Sequence, residues 1–263
     1  MKNDIFKSYE KLAKFYDFIF NPASEKSQTR KEIRAIKNLL KELNKELQNS
    51  IVVDLGGGTG RLAYPLSQLC KKVILVEPIP QMIDNAKKKL NEQKHGEIEF
   101  RQEGFLDISL LSNSVDVVLS FGGPFQYLLT LEDQLTALKN IYSILKPGGF
   151  VLIDLKNFFS LIKGYQKPED MKWETSTENY NRSIVHKNHA FKEIWEHKEQ
   201  INVENKNSGE TELIESTHYL KMFSPSELRF LFQQVGFKHI KIYPGARLKA
   251  KEGTRIWITG IKP

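Results

Sequence analysis

A carboxylate followed by three alternating glycines is the pattern in this chain that most clearly points to chemistry. Residues 51–60 read Ile-Val-Val-Asp-Leu-Gly-Gly-Gly-Thr-Gly, so an apolar strand ends in Asp54 and passes into a glycine loop. The next residues, Arg-Leu-Ala-Tyr-Pro-Leu, begin a helix. Glycines let backbone N–H groups approach a ligand with no Cβ in the way. The run therefore predicts a ligand cradle between a strand and a helix.

The spacing of the glycines narrows the choice of ligand. A dinucleotide fingerprint, G-x-G-x-x-G, needs its third glycine at position 61, where this chain has Arg61. A phosphate-binding P-loop needs Gly-Lys-Ser or Gly-Lys-Thr, which the segment lacks. The remaining pattern is an acidic residue followed by x-G-x-G-x-G.

This pattern, from Asp54 to Gly60, resembles the first motif of the class I S-adenosylmethionine-dependent methyltransferases. The phrase Leu-Lys-Pro-Gly-Gly at 145–149 is also characteristic of that family. The resemblance runs from about residue 50 to 156 and resumes in the last forty residues. It implies S-adenosyl-L-methionine as cofactor and an α/β fold: a Rossmann-like, doubly wound sheet of seven strands with the last strand antiparallel.

The predicted strands end in residues suited to an adenosine-type ligand. Glu77 follows the apolar run 73–76, and a carboxylate at that place can accept both hydroxyls of a ribose. In the loop after the third strand, Glu-Gly-Phe stands where the family usually has Gly-Asp, so the acid is missing or displaced to Asp107. The predicted cofactor-binding residues are Tyr16, Asp54, Gly56, Gly57, Gly58, Gly60, Glu77, Pro78, Met82, Gly104, Phe105, Leu106, Ser120, Phe121 and Gly122.

The chain divides into three predicted parts. Residues 1–50 form an aromatic-rich helical lid followed by an amphipathic helix, residues 51–156 and 223–263 form the cofactor-binding core, and residues 157–222 form an insertion. Alternating polar and apolar residues at 191–196 and 212–219 predict about three antiparallel strands in the insertion. In the family, such an insertion covers the substrate.

The acceptor is less defined than the cofactor. His218, Tyr219 and Tyr127 are candidate catalytic residues because of their location, and no metal-ligand spacing is present, so no metal is expected. Motifs for base-amine or cytosine methylation are absent. We therefore expect methyl transfer to a nitrogen or oxygen of a small molecule. An RNA or protein methyltransferase and a non-catalytic cofactor- or nucleotide-binding module remain as alternatives.

Composition limits the partners and the compartment. The net charge of +7 comes from lysines scattered over predicted helix faces, so we do not expect specific nucleic-acid binding. No apolar stretch approaches 18 residues and no signal-peptide pattern is present, which favours a cytoplasmic protein with no membrane partner. The single cysteine, Cys70, cannot form an internal disulfide. A homodimer formed through the insertion is an alternative role for that segment.

Overall fold

The computed structural model describes residues 5–19, 22–91, 95–162 and 169–263. Parts of the predicted lid (1–4 and 20–21) and of the predicted insertion (163–168) lie outside the described residues. The helices are α1 (Ile5–Ala13), α2 (Tyr16–Ile19), α3 (Pro22–Glu42), α4 (Ala63–Ser67), α5 (Pro80–Asn91), α6 (Leu131–Ile144), α7 (Phe158–Leu161) and α8 (Pro225–Val235). The strands are β1 (Ile51–Leu55), β2 (Lys72–Val76), β3 (Ile98–Arg101), β4 (Val115–Ser120), β5 (Leu145–Lys156), β6 (Glu169–Glu174), β7 (Glu178–His189), β8 (Ile194–Asn205), β9 (Thr211–Lys221), β10 (Lys238–Tyr243) and β11 (Arg255–Ile261).

The larger sheet has seven strands in the order β10-β11-β5-β4-β1-β2-β3. Strands β5, β4, β1, β2 and β3 pair in parallel, whereas β11 runs antiparallel to both of its neighbours. The predicted Rossmann-like sheet with an antiparallel last strand is confirmed. The final strand, β11, lies between β10 and β5.

Helices cover both faces of this sheet. On one face α3, α4 and α5 pack around Leu40, Leu66 and Leu75, and on the other α6 and α8 pack around Leu138 and Phe232. Parallel strands buried on both faces require nearly continuous apolar runs, which is why β1, β2 and β4 read that way in the sequence. The strand order reverses between β1 and β4, so the loops after these strands border the crevice where such sheets bind ligands.

The insertion forms a separate antiparallel sheet in the order β6-β7-β8-β9. The sequence predicts about three strands, and the structure has four. The additional strand, β6, pairs with β7 and is mostly exposed. Its Met171 and Trp173 alternate with polar residues, and Trp173 stacks on Tyr180 with ring centroids 5.1 Å apart. In contrast, one face of β8 and β9 is buried at every second residue, as Ile201, Ile214 and His218 illustrate.

The first helix, α1, lies between the two sheets. Leu12 and Phe15 pack against Tyr180 and Ile214 of the insertion, while Ala13 packs against Met82 of α5. The helix thus joins the insertion to the core on the side where β1 and β2 end. No helix among the described residues is both long and apolar enough to cross a membrane.

Candidate functional site

The glycine loop follows β1, and two of its glycines have different tasks. Gly56 has a φ of +71°, and a Cβ there would lie 2.7 Å from the Pro124 ring, so a side chain would collide with the loop after β4. Gly58 has a φ of +54°, but a Cβ there would meet no atom within 4 Å. The space at Gly58 is therefore open, as a ligand cradle requires, and a side chain would partly fill it.

Glu77 borders this cradle from the end of β2. The buried carboxylate accepts the Gly58 amide at 3.0 Å through Oε2 and the Ile79 amide at 3.1 Å through Oε1. An ionised carboxylate has about four lone-pair positions, so each oxygen keeps one for a further donor. Two adjacent acceptor positions fit the two hydroxyls of a ribose. Burial raises the pKa of Glu77 to about 7, although the two amide bonds oppose the shift.

Two buried oxygens at the same edge of the sheet lack a partner among the described residues. They are Asp54 Oδ2 at the end of β1 and Ser120 Oγ at the end of β4. Buried polar atoms are nearly always hydrogen-bonded, so unpaired ones mark a place for a ligand or water. Burial also raises the pKa of Asp54 to about 7, against the lowering effect of Arg61. Together with Glu77, these atoms fit a polar, adenosine-type cofactor.

Arg61, which replaces the third dinucleotide glycine, has a structural partner. Its guanidinium donates to Glu32 Oε2 at 2.6 Å and to Thr29 Oγ1 at 2.9 Å, so it fastens α3 to the end of the glycine loop. The preceding Gly60 has a φ of +81°. The other predicted cofactor residues of these loops, Gly57 and Pro78, follow β1 and β2 respectively.

The loop after β3 contains three of the predicted cofactor-binding residues, Gly104, Phe105 and Leu106. Asp107 Oδ1 accepts the Gly104 amide at 2.6 Å, so the displaced acid closes its own loop. Phe105 packs edge-on against Phe125 with ring centroids 5.7 Å apart. Leu106 is 45% exposed. Contacts from this loop to a cofactor are therefore left to its backbone and to Phe105.

The loop after β4 is held by an acid from β5. Asp154 Oδ2 accepts the Gly122 amide at 2.9 Å, and the same carboxylate accepts from Trp257 Nε1 at 2.9 Å and from Arg255 Nε at 2.8 Å. Phe121 packs edge-on against Trp257 with ring centroids 5.2 Å apart. The Gly122 amide and the Phe121 ring thus have partners inside the protein, and both help to shape the crevice.

The leading helices are fastened above the glycine loop by polar contacts. Asp17 Oδ1 accepts from Thr59 Oγ1 and from Lys89 Nζ, each at 2.8 Å. Asn85 Nδ2 donates to the Ala13 carbonyl at 2.7 Å. The segment that contains Tyr16 is therefore tied both to the glycine loop and to α5.

A cavity of about 240 Å³ lies between the leading helices, the turn at 124–127 and the insertion sheet. Three tyrosines and three histidines line it: Tyr9, Tyr16, Tyr127, His186, His197 and His218. The histidines face one another in register across β7, β8 and β9, with successive ring centroids 4.9 and 5.7 Å apart. No group of three or more His, Cys, Asp or Glu among the described residues is arranged to hold a metal ion.

A chain of hydrogen bonds leads from this cavity into the insertion sheet. The Tyr9 and Tyr127 hydroxyls lie 2.8 Å apart, and Tyr127 Oη lies 3.1 Å from His218 Nδ1. His218 Nε2 lies 3.2 Å from Ser216 Oγ, and Ser216 Oγ lies 3.5 Å from Glu199 Oε2, which is the longest link. We call these five residues the relay.

Glu199 sets the direction of the relay. Burial alone raises the pKa of Glu199, but a bond from His197 and the charge of Arg182 outweigh burial and hold the pKa at about 2. An ionised carboxylate can only accept, so Ser216 donates to it and His218 Nε2–H donates to Ser216.

With its proton on Nε2, His218 accepts from Tyr127 through Nδ1. The Tyr127 oxygen then accepts from Tyr9, which leaves the lone pairs of the Tyr9 oxygen as the open end of the relay. Burial lowers the pKa of His218 to about 4, with the charge of His197 as the next cause, in agreement with a neutral ring.

Two of the three candidate catalytic residues line the cavity. His218 and Tyr127 belong to the relay. Tyr219 follows His218 in a strand, so its side chain projects to the opposite face and does not line the cavity. Tyr9, Ser216 and Glu199 were missed by the sequence analysis, and the period-two pattern of the insertion was the one signal for the last two.

Comparison with known proteins identifies the core. Residues 52–149, which contain the glycine loop and Glu77, match the family model described as a methyltransferase domain. This segment is a methyltransferase domain, as the resemblance to the class I S-adenosylmethionine-dependent methyltransferases predicts. The cofactor of this methyltransferase is S-adenosylmethionine, and the open cradle at Gly58 with the spare acceptors of Glu77 fits it.

Individual relatives agree with this assignment. YqeM of Bacillus subtilis (strain 168), which bears a provisional methyltransferase name, is 22% identical over 71% of this chain and 73% of its own length. The demethylmenaquinone methyltransferase of Lactococcus lactis subsp. lactis is 35% identical, but the match covers only 41% of this chain and 42% of that enzyme. The crystal structure of the sugar N-methyltransferase KedS8 from Streptoalloteichus has a TM-score of 0.76 at 16% identity, covering 94% of this chain and 92% of that one. The last comparison shows a shared fold that includes the insertion.

Proposed function

We propose that this methyltransferase transfers a methyl group from S-adenosylmethionine to a nitrogen atom of a small molecule bound in the cavity. The observation that carries the proposal is the cavity of about 240 Å³ between the leading helices and the insertion sheet. Two of its lining residues, Tyr9 and Tyr16, pack against the residues that follow Glu77. Tyrosine, histidine and charged side chains line the cavity, which suits a polar small molecule or a part of one. The fold shared with a sugar N-methyltransferase supports an amine acceptor.

The chain's own residues have modest chemical work to do. S-adenosylmethionine supplies, when bound, a methyl group activated by a sulfonium leaving group. Tyr9 and Tyr16 line the cavity beside Met82 and Ile79, which follow Glu77. They therefore place aromatic surfaces near the cradle, where such surfaces favour a cation and exclude water. The remaining task is to hold the acceptor in line, which can lower the barrier by several kcal/mol.

The relay distinguishes nitrogen from oxygen acceptors. Moving a proton from an ammonium group of pKa about 8 to His218, whose pKa is about 4, costs about 6 kcal/mol at about 1.4 kcal/mol per unit. The same proton transfer from a phenol of pKa about 10 costs about 8 kcal/mol, and transfer from an alcohol costs more. A neutral amine needs no base before it attacks, whereas a hydroxyl does. A weakly basic His218 therefore favours an amine.

In this assignment the relay positions the amine. One N–H group of the bound amine would donate a hydrogen bond to the Tyr9 oxygen. The lone pair of the amine nitrogen would then point to the methyl carbon of the cofactor. Bound S-adenosylmethionine would supply the methyl group and its sulfur would keep the electron pair of the S–C bond. The methylated nitrogen would then lose a proton to solvent, because His218 is too weakly basic to take it. His218 and Tyr127 keep the Tyr9 oxygen oriented as an acceptor.

The experiment uses S-adenosylmethionine labelled in the methyl group and an amine-containing metabolite pool, with products identified by mass spectrometry. We expect labelled N-methyl products. The Tyr127→Phe variant should lose tenfold or more of the turnover number while keeping cofactor affinity, because it breaks the relay. Tyr219→Phe, on the opposite face of β9, is the matched control and should behave as wild type. The proposal is contradicted if Tyr127→Phe has the same turnover number as the wild type, or if the label is found only in RNA or protein.

A macromolecular acceptor is the second candidate, and one surface feature favours it. An open groove of about 1220 Å³ lies between α3 and the loop before β11. Its basic side chains are Lys31, Arg34, Lys41, Arg247, Lys249 and Arg255. However, the groove includes no residue of the glycine loop or of the acceptor cavity. A polyanion bound there has no evident way to present an atom to the cofactor.

A further inference from the structure

Lys156, the last residue of β5, is held at the wall of the acceptor cavity by a buried amide. Its backbone N–H donates to Gln126 Oε1 at 2.8 Å, and Gln126 Nε2 donates to the carbonyls of Lys156 and Lys221, each at 3.1 Å. Gln126 is fully buried, so it fixes the end of β5 against the end of β9. The side chain of Lys156 lines the cavity.

The neighbouring cations have their own counter-ions, and Lys156 does not. Arg182 pairs with Glu199, and Arg255 pairs with Asp154. Within the part of the chain that the structure describes, the Lys156 ammonium group makes no hydrogen bond or ion pair. An ammonium group that lines a cavity and has no counter-ion favours binding of an anion there.

The His186 ring lines the same cavity, and its protonation follows from its partner Trp195. Trp195 Nε1 lies 3.0 Å from His186 Nδ1, and an indole nitrogen can only donate. His186 therefore carries its proton on Nε2. Burial and the charge of His197 lower the pKa of His186 to about 4, in agreement with this neutral tautomer. The Lys156 ammonium group and the neutral His186 ring therefore both line the cavity of an acceptor that also presents an amine.

We propose that the methyl acceptor carries an anionic group, a carboxylate or a phosphoryl group, whose oxygen atoms bind the Lys156 ammonium group. This inference rests on the proposed function, because it concerns the acceptor of that same cavity. The acceptor is then an amine with an acidic group, anchored at Lys156 while the nitrogen is held at Tyr9. Charge-assisted hydrogen bonds are the strongest single contacts available to a small ligand, so they decide which amines are accepted.

The test compares three ligands that share one amine and one ring: glucosamine, glucosamine 6-phosphate and 2-amino-2-deoxyglucuronic acid. Binding to the full chain saturated with S-adenosylhomocysteine is measured by calorimetry, which does not depend on turnover. We expect at least one anionic ligand to bind tenfold or more tightly than glucosamine. The anionic ligand that binds more tightly shows whether the site prefers a phosphoryl group or a carboxylate.

Variants show whether Lys156 causes the preference. Lys156→Met should abolish it and Lys156→Arg should retain it, while Lys139→Met, at an exposed position on α6, should bind as wild type does. Equal binding of all three ligands, a preference that survives in Lys156→Met, or no binding of any anionic probe including inorganic phosphate overturns the inference. Methylation of the anionic amines that is unchanged in Lys156→Met overturns this inference and leaves the proposed function standing. Anion binding without any methyl transfer contradicts the proposed function instead.

The pH dependence gives an independent readout. Burial and the charges of Arg255 and Arg182 lower the pKa of Lys156 to about 8. Binding of the anionic ligand should therefore weaken about tenfold per pH unit above 8 in the wild type but not in Lys156→Arg, since arginine stays charged. The other titratable and charged groups around Lys156 are Glu169 on β6, Arg182 and His186 on β7, His197 and Glu199 on β8, His218 on β9, Arg255 on β11, and Tyr9, Tyr16 and Tyr127. A pH profile that is the same in both proteins overturns the assignment.

Discussion

Replacing Glu77 with glutamine is expected to weaken cofactor binding and to remove its dependence on pH. In the wild type the carboxylate already accepts two backbone amides and has two acceptor positions left for the ribose hydroxyls. A glutamine side chain keeps the shape but has no charge and only one oxygen. The variant Glu77→Gln therefore loses a charge-assisted bond to the ribose, which corresponds to about 1.5–3 kcal/mol, or about ten- to 150-fold in the dissociation constant.

The pKa of Glu77 predicts the shape of the pH profile. The hydroxyls donate best to the ionised form, whose fraction falls tenfold per unit below a pKa of about 7. The dissociation constant for S-adenosylhomocysteine should thus rise about tenfold per unit between pH 7 and 5.5. Above pH 7 the wild-type constant should be flat, and Glu77→Gln should be flat throughout.

The same substitution should change folding stability little. The folded protein holds the Glu77 proton more tightly than the unfolded chain, so this residue makes stability fall as pH rises from 4.5 to about 7. The cost above pH 7 is about 3 kcal/mol, from 2.5 units at about 1.4 kcal/mol each. Glutamine removes that cost but turns an NH₂ group toward the Gly58 or Ile79 amide, which costs about 1–3 kcal/mol. The two effects nearly cancel.

Calorimetry with S-adenosylhomocysteine between pH 5.5 and 8.5 checks the prediction, with thermal unfolding as the folding control. Asp54→Asn is the matched variant, because burial also raises the pKa of Asp54 to about 7 and the two acids interact. If folded Glu77→Gln binds at pH 8 with wild-type affinity, Glu77 does not hold the ribose. If Asp54→Asn alone flattens the profile, the titrating group is Asp54.

Three further predictions address the cradle, the relay and the surface. Gly58→Ala should lower folding stability by only about 1–2 kcal/mol, which is the cost of a positive φ for alanine. Calorimetry should nevertheless show that S-adenosylhomocysteine binds more than tenfold more weakly, because the alanine methyl group enters the open cradle. His218 is neutral in the folded protein, so the free energy of unfolding of the wild type should fall by up to about 3 kcal/mol as the pH drops from 6.5 to 4. Chemical unfolding should show a smaller fall over this pH range in His218→Gln, because glutamine does not titrate. RNA should bind only weakly at physiological salt in filter-binding assays, and the double variant Arg34→Glu, Lys249→Glu should abolish it without changing turnover; a specific, salt-resistant complex would contradict this.

The cofactor cradle was predictable because its determinants are local. Asp54, the glycines and Glu77 each stand at the end of an apolar run, and parallel strands bring such ends to one edge of the sheet. The partners of the next loop are not local. Gly122 donates to an acid 32 residues later in the chain, and that acid is fixed by Arg255, 101 residues beyond it. Sequence spacing assigns Gly122 to the cofactor, whereas tertiary pairing gives its amide to Asp154.

The insertion shows a different limit. Alternation marks β8 and β9 because one of their faces is buried, but β6 offers only Met171 and Trp173 in alternation and was missed. Period two also separates His218 from Tyr219, so the strand pattern alone could have removed Tyr219 from the candidate catalytic residues. Location near other aromatic residues was a weaker guide than the parity of the strand position.

The relay depends on register, which is set at the hairpin between β8 and β9. Asn205 Oδ1 accepts the amides of Asn207 and Ser208 at 2.9 and 3.0 Å, and this turn places Glu199 opposite Ser216 and His197 opposite His218. A slip of one residue would move each histidine or serine of one strand to the face away from the cavity. The acid that orients the relay would then lose its serine, and His218 would have no defined tautomer. A short polar turn far from the cofactor therefore decides the chemistry of the acceptor site, which explains why residue types alone did not reveal Glu199 and Ser216.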